Sequence, residues 1–454
     1  MSQDWSRSRV CIDVGRGEQP LEVVAGNDTP FQILVTGDFS GRANRGVNSA
    51  VTDRRPVLVD CDNLDSVLAG MGVSVRLPEG TFRFRELNDF HPDSIYRSTA
   101  LFQGLQEMRA RASPPALATA RIPRQPLQPG KPLLDRMMEE ADGGPGAPVL
   151  QRSDDLAAFV KEVVAPYVVP RDDPFRQEWV AQIDAAAGIA MRAILHHADF
   201  QSLEAVWRAV HMLVQRLQPD SELKVYILDA RIEELIADLA SFERLLADSE
   251  YPWALLIGGF AFGQSELDVM RLQILGRIAA TSGAPFLAEA QPLEQAEATA
   301  AWQSLRRSRE ARWVGLALPR FLLRLPYGKA TAPVESFDFE EMPESVHTQY
   351  LWGNPAFCCA CLLGQAFRRH GWDRGSGIHQ QLDGLPLHVY AEDGETIAKP
   401  CAEVLLTETD AEFLVSSGFM PVMSMRHRDS VVVVRFQSLE DPPSPLPGPW
   451  RQSF

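Results

Sequence analysis

Polar and apolar positions interchange along Arg9-Val10-Cys11-Ile12-Asp13-Val14, the period of a strand with one buried face. Phe31-Gln32-Ile33-Leu34-Val35-Thr36 predicts a second strand, stopped by Gly37-Asp38-Phe39-Ser40-Gly41. Residues 42–54 are polar and rich in Gly and Asn, the composition of a mobile loop. Pro56-Val57-Leu58-Val59-Asp60 resumes strand character, and Asp62 or Asn63 can N-cap a short helix through Leu64, Val67 and Leu68. A further strand is predicted at Thr81-Phe82-Arg83-Phe84. After His91-Pro92-Asp93, Ile95, Leu101, Leu105 and Met108 mark a helix ending near Arg111.

The pattern then breaks. Residues 113–131 contain Pro114, Pro115, Pro123, Pro126 and Pro129 with little periodicity, which reads as a semi-rigid linker. Residues 132–140 follow as a short amphipathic helix with Leu133, Leu134, Met137 and Met138 on its apolar side, closed off again by Gly143-Gly144-Pro145-Gly146. Such a helix has nothing local to pack against. It either docks back on its own chain or serves as a ligand for a partner's groove.

Residues 154–168 and 174–217 read as helices, the second long or interrupted. Within it Ile194, Leu195, Phe200, Leu203, Val206, Trp207, Val210 and Leu213 recur at three- and four-residue spacing, which places Trp207 in a core. Strands at 223–228, 253–258 and 285–288 alternate with helices at 234–239 and 267–282; residues 348–371 read as a buried helix and 431–436 as a last strand. Near-continuous apolar strands alternating with helices predict an α/β fold with mixed, mainly parallel sheets covered by helices. The expected organisation is a first α/β domain over 1–112, a Pro/Gly-rich linker over 113–152, a second α/β domain over 153–438, and a disordered Pro-rich tail over 439–454.

Charge narrows the choice of partners. The net charge is −16, but residues 1–131 hold 16 basic against 15 acidic side chains, whereas 132–454 hold 28 against 45. An acidic body of that size repels phosphate backbones, which argues against nucleic acid. It suits docking to a basic protein surface, and it also describes an ordinary solvated surface. The start Met1-Ser2-Gln3-Asp4-Trp5 lacks the basic and apolar regions of an export signal, and no apolar run is long enough for a membrane helix. With no export signal expected, the six cysteines read as reduced thiols in a cytoplasm rather than a disulfide framework.

The candidate chemistry is thin. Gly37–Gly41 resembles a phosphate loop only in its glycines: no Lys follows and no helix is predicted behind it, so a tight structural turn is the expectation. His196 and Asp199 share a helical face as metal ligands would, but Glu204 lies too far along to converge, and a helix break with hydrogen-bonded histidines explains the same residues. Cys358, Cys359 and Cys361 sit in an apolar helical run, where Cys behaves as a small hydrophobe. The cluster Arg306-Arg307-Ser308-Arg309 lacks interleaved aromatics and reads as a helix face or a salt-bridge patch within an assembly. No nucleophile elbow appears, and pairs such as Glu340-Glu341 cannot be assigned to a cleft. No enzyme, cofactor or metal site is expected.

Several segments carry a family likeness. Phe31–Gly41 as quoted, Arg55-Pro56-Val57-Leu58-Val59-Asp60-Cys61-Asp62-Asn63-Leu64-Asp65 and Leu87-Asn88-Asp89-Phe90-His91-Pro92-Asp93 follow one another at the order and spacing of the small subunit of type VI secretion contractile sheaths (the VipA/TssB family), which residues 9–111 resemble. Residues 132–438 resemble the large subunit (VipB/TssC). The leading match is the helix bearing Phe200, Leu203, Glu204, Trp207 and Arg208. Ala317-Leu318-Pro319-Arg320, Arg324-Leu325-Pro326-Tyr327-Gly328, Phe337-Asp338-Phe339-Glu340-Glu341, Tyr350-Leu351-Trp352-Gly353-Asn354, Gly384-Leu385-Pro386-Leu387-His388 and Phe436-Gln437-Ser438 continue the series.

The resemblance implies a natural fusion of the two subunits, acting as a structural, self-associating sheath protein in a bacterial cytoplasm. Its implied partners are itself and other sheath subunits, inner tube and baseplate proteins, and an AAA+ recycling ATPase gripping the helix with Leu133, Leu134, Met137 and Met138. It also implies that Arg9, Val10, Cys11, Ile12, Asp13 and Val14 form an assembly strand exchanged between protomers. The large-subunit family continues well past the position of Phe436, so a truncated C-terminus is expected, with a non-polymerising cap, adaptor or regulator as the alternative reading.

Overall fold

The computed structural model describes residues 25–26, 28–112, 174–292, 299–372, 379–392 and 394–450. The chain divides into two compact units, one of Met1–Leu101 with Gly188–Phe454 and one of Phe102–Ala187.

The first unit is built on a nine-stranded sheet. In chain order its strands are β1 Phe31–Gly37, β2 Val57–Val59, β3 Leu223–Asp229, β4 Trp253–Phe262, β5 Phe286–Ala290, β6 Val314–Leu318, β7 Gln381–Leu382, β8 Met420–Ser424 and β9 Val431–Val433. Across the sheet they lie in the order β7-β9-β8-β6-β5-β4-β1-β3-β2. Pairing is parallel from β8 through β6, β5, β4 and β1 to β3. It is antiparallel for β2 at one edge and for β9 and β7 at the other. The mixed, mainly parallel α/β class is the one the sequence pattern predicts. All seven residues of β1 are buried, the polar Gln32 and Thr36 among them, which is why its apolar residues fall on both faces instead of alternating.

Behind the Gly37–Gly41 turn, where no helix is predicted, Arg42–Arg45 forms a single helical turn. The longer helices among the described residues, in chain order, are α1 Leu64–Met71, α2 Pro92–Ser98, α3 Ala100–Ala112, α4 Pro174–Leu195, α5 Ala198–Leu217, α6 Ile232–Ala237, α7 Leu239–Ala247, α8 Glu266–Ser282, α9 Ala300–Arg306, α10 Ala356–His370 and α11 Glu408–Ser416. One apolar cluster joins Leu272, Leu275 and Ile278 of α8 to Leu256, Phe286, Ala288, Val314 and Leu316 of the sheet. Helix α10 packs against β4, β5, β6 and α5. The second unit is described only at its two ends, where Arg109 Nε donates to Asp184 Oδ1 at 2.7 Å.

Four expectations need correcting. The boundary near residue 112 does not separate two cores: β1 is hydrogen-bonded between β3 and β4, so the first region completes the sheet of the second. The tail is not disordered through 450. Its proline-rich sequence forms no regular element, yet Leu446 is fully buried and Trp450 is buried. Its backbone is also tied down by Leu439 N to Val314 O at 2.8 Å and by Ala25 N to Pro449 O at 3.1 Å. Residues 42–54 are pinned rather than loose, by a buried carboxylate described below. The strand at 253–258 runs on to Phe262 through an irregularity in its pairing with β5. The linker, the helix at 132–140 and residues 9–14 lie outside the described residues.

Candidate functional site

Helix α5 carries the leading motif because its register turns one face to two regions at once. It begins at a real break: His197 is the N-cap, and its Nδ1 accepts from Asp199 N at 3.2 Å. That is the helix break with hydrogen-bonded histidine, and Asp199 turns instead to Asn44, whose Nδ2 donates to it at 2.8 Å. Phe200, one turn on, meets the edges of Phe84 and Phe90, which themselves stack with centroids 4.0 Å apart. Trp207 is fully buried. Its indole Nε1 donates to Phe39 O at 2.7 Å and its ring meets Phe39 edge-on at 5.5 Å.

The Gly37–Gly41 turn is therefore locked from several sides. The carboxylate of Asp229, at the end of β3, accepts from Phe39 N at 2.9 Å, Ser40 N at 3.0 Å and Ser40 Oγ at 2.8 Å. Those are the N–H groups a phosphate would need, and a protein carboxylate holds them. Gly41 has φ of 77°, and a Cβ there would lie 2.2 Å from Ser74 O, so glycine is required on both counts.

On its other side α5 faces a buried ion network. Glu204, fully buried, accepts from Arg324 Nε at 2.8 Å and from Arg208 Nε at 2.6 Å. Arg324 also reaches Glu341, with Nη1 to Oε2 at 2.7 Å and Nη2 to Oε1 at 3.0 Å. Arg208 Nη2 donates to Tyr327 Oη at 2.9 Å, and Tyr327 N donates to Glu341 Oε2 at 2.7 Å. Burial works against the Glu341 charge, but Arg324 and the Tyr327 N–H outweigh it and hold that carboxyl at about 2. Burial pushes the Tyr327 phenol up to about 12 against the pull of the two guanidinium groups. Glu204 is thus an ion-pair partner rather than a metal ligand; His196 lies 3.7 Å from Glu341.

The remaining motif segments meet these anchors. His91 stacks edge-on against Tyr327 at 4.8 Å, and Asp93 accepts from Ser336 N at 2.8 Å and Glu335 N at 3.1 Å. Tyr96 stacks on Phe337 at 4.6 Å. Asn354 Nδ2 donates to Gly258 O and Phe260 O, filling the irregular stretch of β4. Gln437 Nε2 donates to Val415 O and Phe419 O at 2.7 and 2.8 Å. Glu234 of α6, also buried, accepts from Arg54 Nη2 at 2.7 Å, Arg42 Nη2 at 3.0 Å and Ser49 N at 2.9 Å. Burial opposes its charge, yet Arg54 and Arg42 hold it well below the usual carboxylate range. Sequence reasoning missed Asp229 and Glu234 altogether. Arg324, Tyr327 and Glu341 stood inside quoted motifs, but their mutual contact was not visible there.

Cys358, Cys359 and Cys361 are fully buried in α10, and burial pushes the Cys359 and Cys361 thiols up to about 12. They are core hydrophobes, as their apolar setting predicts. No group of three metal-ligating side chains gathers among the described residues. No helix among them is long and apolar enough to cross a membrane.

The motifs thus converge on an interlock, and the same segments carry the family match. The family model of VipB, the EvpB tail sheath N-terminal domain, matches residues 177–293 and 291–440. The chain belongs to the VipB tail-sheath family. The model of the type VI secretion system VipA family matches residues 21–114, so the likeness to both sheath subunits lies within one polypeptide. The type VI secretion system sheath protein TssC1 of Pseudomonas aeruginosa is 32% identical over 303 residues, which are 58% of this chain and 61% of that relative. The VipA-type region contributes β1 and the Gly37–Gly41 turn, and the VipB-type region contributes the strands and helix that enclose them.

Proposed function

We propose that this chain is a structural subunit of a type VI secretion sheath, in which the small- and large-subunit parts are fused and the product self-associates around an inner tube in the bacterial cytoplasm. The position of β1 carries this reading: a VipA-type strand lies inside a VipB-type sheet, the pairing that two separate chains would otherwise have to find by diffusion. Covalent linkage raises the effective concentration of the two parts and enforces one-to-one stoichiometry. The charged motif residues are engaged in internal ion pairs, which supports a mechanical rather than a catalytic role. Contraction then draws on two alternative packings of the same subunits, not on chemistry at a site.

In this reading residues 9–14 are a strand donated to a neighbouring protomer, since a strand edge left unpaired readily joins another sheet. Leu133, Leu134, Met137 and Met138 present an apolar helix face to the AAA+ recycling ATPase. Inner tube and baseplate proteins are the remaining partners. Electron microscopy and sedimentation of the purified protein, with and without tube protein, test the whole reading. Tubular assemblies are expected; monomers under every condition overturn it, and shortening of other sheaths at low added ratio marks a cap instead. Deleting residues 1–14 should abolish assembly and leave the melting curve unchanged. A large drop in melting temperature with assembly intact would return the strand to its own domain.

A further inference from the structure

A cluster of exposed arginines lies where α8 meets the segment that follows α9. Arg307, Arg309 and Arg312 are exposed on the segment that leaves α9, and Arg277 is exposed on α8 beside it. The two segments touch: a Cβ on Gly276 would lie 2.6 Å from Glu310 O, which brings Arg277 alongside. None of these four guanidinium groups has an ion pair or hydrogen bond among the described residues. Arg306, their neighbour in sequence, is different. It turns inward to Leu439 O at 3.1 Å and lies 3.7 Å from Asp441, so it anchors the tail.

The same molecule presents a surface of opposite character. A groove of about 530 Å³ lies between α11 and the β8–β9 side of the sheet, with Ala411, Val415, Met423, Val434 and the exposed Arg435 among its walls. Glu408 and Glu412, one helical turn apart and both exposed, stand on its rim without an ion pair among the described residues. Phe413 beside them is 55% exposed. An arginine fits such a place well: its apolar stem lies along the walls while its head meets carboxylates or an aromatic face.

We infer that the arginine patch of one copy docks on the Glu408/Glu412 groove of a second copy. The inference rests on the reading that the chain self-associates, and adds which surfaces meet. Patch and groove are different surfaces, so the contact is heterologous and can propagate into an open array. Complementary charge of this kind fixes register and hastens encounter, and it weakens as salt rises.

The test is a charge swap on the full chain, read by sedimentation at low and high salt. Arg307→Glu/Arg309→Glu/Arg312→Glu should weaken association by at least about tenfold at low salt. Its melting curve should not change, because these side chains make no internal ion pair. Glu408→Arg/Glu412→Arg should weaken association likewise, and the chain carrying both sets should regain it. Association of all variants equal to that of the unaltered protein overturns the contact while leaving self-association standing. An unaltered protein that never associates overturns both. Loss with no recovery in the combined variant, or tighter binding of a single-stranded oligonucleotide than of a second copy, assigns the patch elsewhere and also overturns the inference.

Discussion

Trp207 serves two regions with one side chain. Its ring fills the core, and its indole N–H satisfies the Phe39 carbonyl inside a turn that already gives its own N–H groups to Asp229. Replacing it with Ala removes a fully buried aromatic and orphans a buried carbonyl, so Trp207→Ala should cost about 3–5 kcal/mol in chemical denaturation. A folded variant with unchanged melting contradicts this placement. Glu341 offers a pH test. Its carboxyl is held at about 2 in the folded chain against an ordinary 4.5, so the folded state binds fewer protons than the unfolded one between those values. That contribution, about 3 kcal/mol, is complete above pH ~4.5 and is lost as pH falls toward 2. Glu341→Gln should therefore melt lower at neutral pH and converge on the parent in acid. Parallel melting curves from pH 7 to 2 would show that the pair contributes nothing. The spacing of apolar residues made Trp207 legible as core. It could not reveal Glu341, because a carboxylate in an irregular segment looks like any surface acid until Arg324 is folded beside it.

At the scale of elements, the apolar runs predicted most of the sheet and the helix breaks. Those signals are local: β1, β3 and β5 are rich in large apolar residues, and His197 caps where the long helical pattern is interrupted. Strands β6 and β8 were missed, since Val-Gly-Leu-Ala-Leu and Met-Pro-Val-Met-Ser carry Gly or Pro inside. Gly315 is needed there because a Cβ would meet Leu287 at 2.6 Å and Leu446 at 3.3 Å. The tail was misread for a related reason. Proline forbids regular structure but not burial, and Leu446 packs on the sheet at the place Gly315 leaves open. Leu446→Ala should accordingly cost about 2–5 kcal/mol. A change within error of zero would mean that the tail rests on the fold without supporting it. Residues 42–54 were misjudged because their anchor, Glu234, is distant in sequence and offers no local signal.

At the scale of the whole molecule, a VipA-type and a VipB-type region share one sheet and one set of anchors. Ion pairs cross between them at Glu234, aromatic contacts at Phe200 and Trp207, and backbone hydrogen bonds along both edges of β1. The resemblance to two families was readable from motif order, but their union was not: sequence shows a proline-rich break at 113–131 and invites a division into domains. The most direct test of this union is to introduce a protease site within 113–131, cut the folded protein, and run the product on native size exclusion. If β1 is an internal strand of a shared sheet, the two fragments stay together in equal amounts and separate only under denaturant. Fragments that elute apart, each still folded, would contradict it.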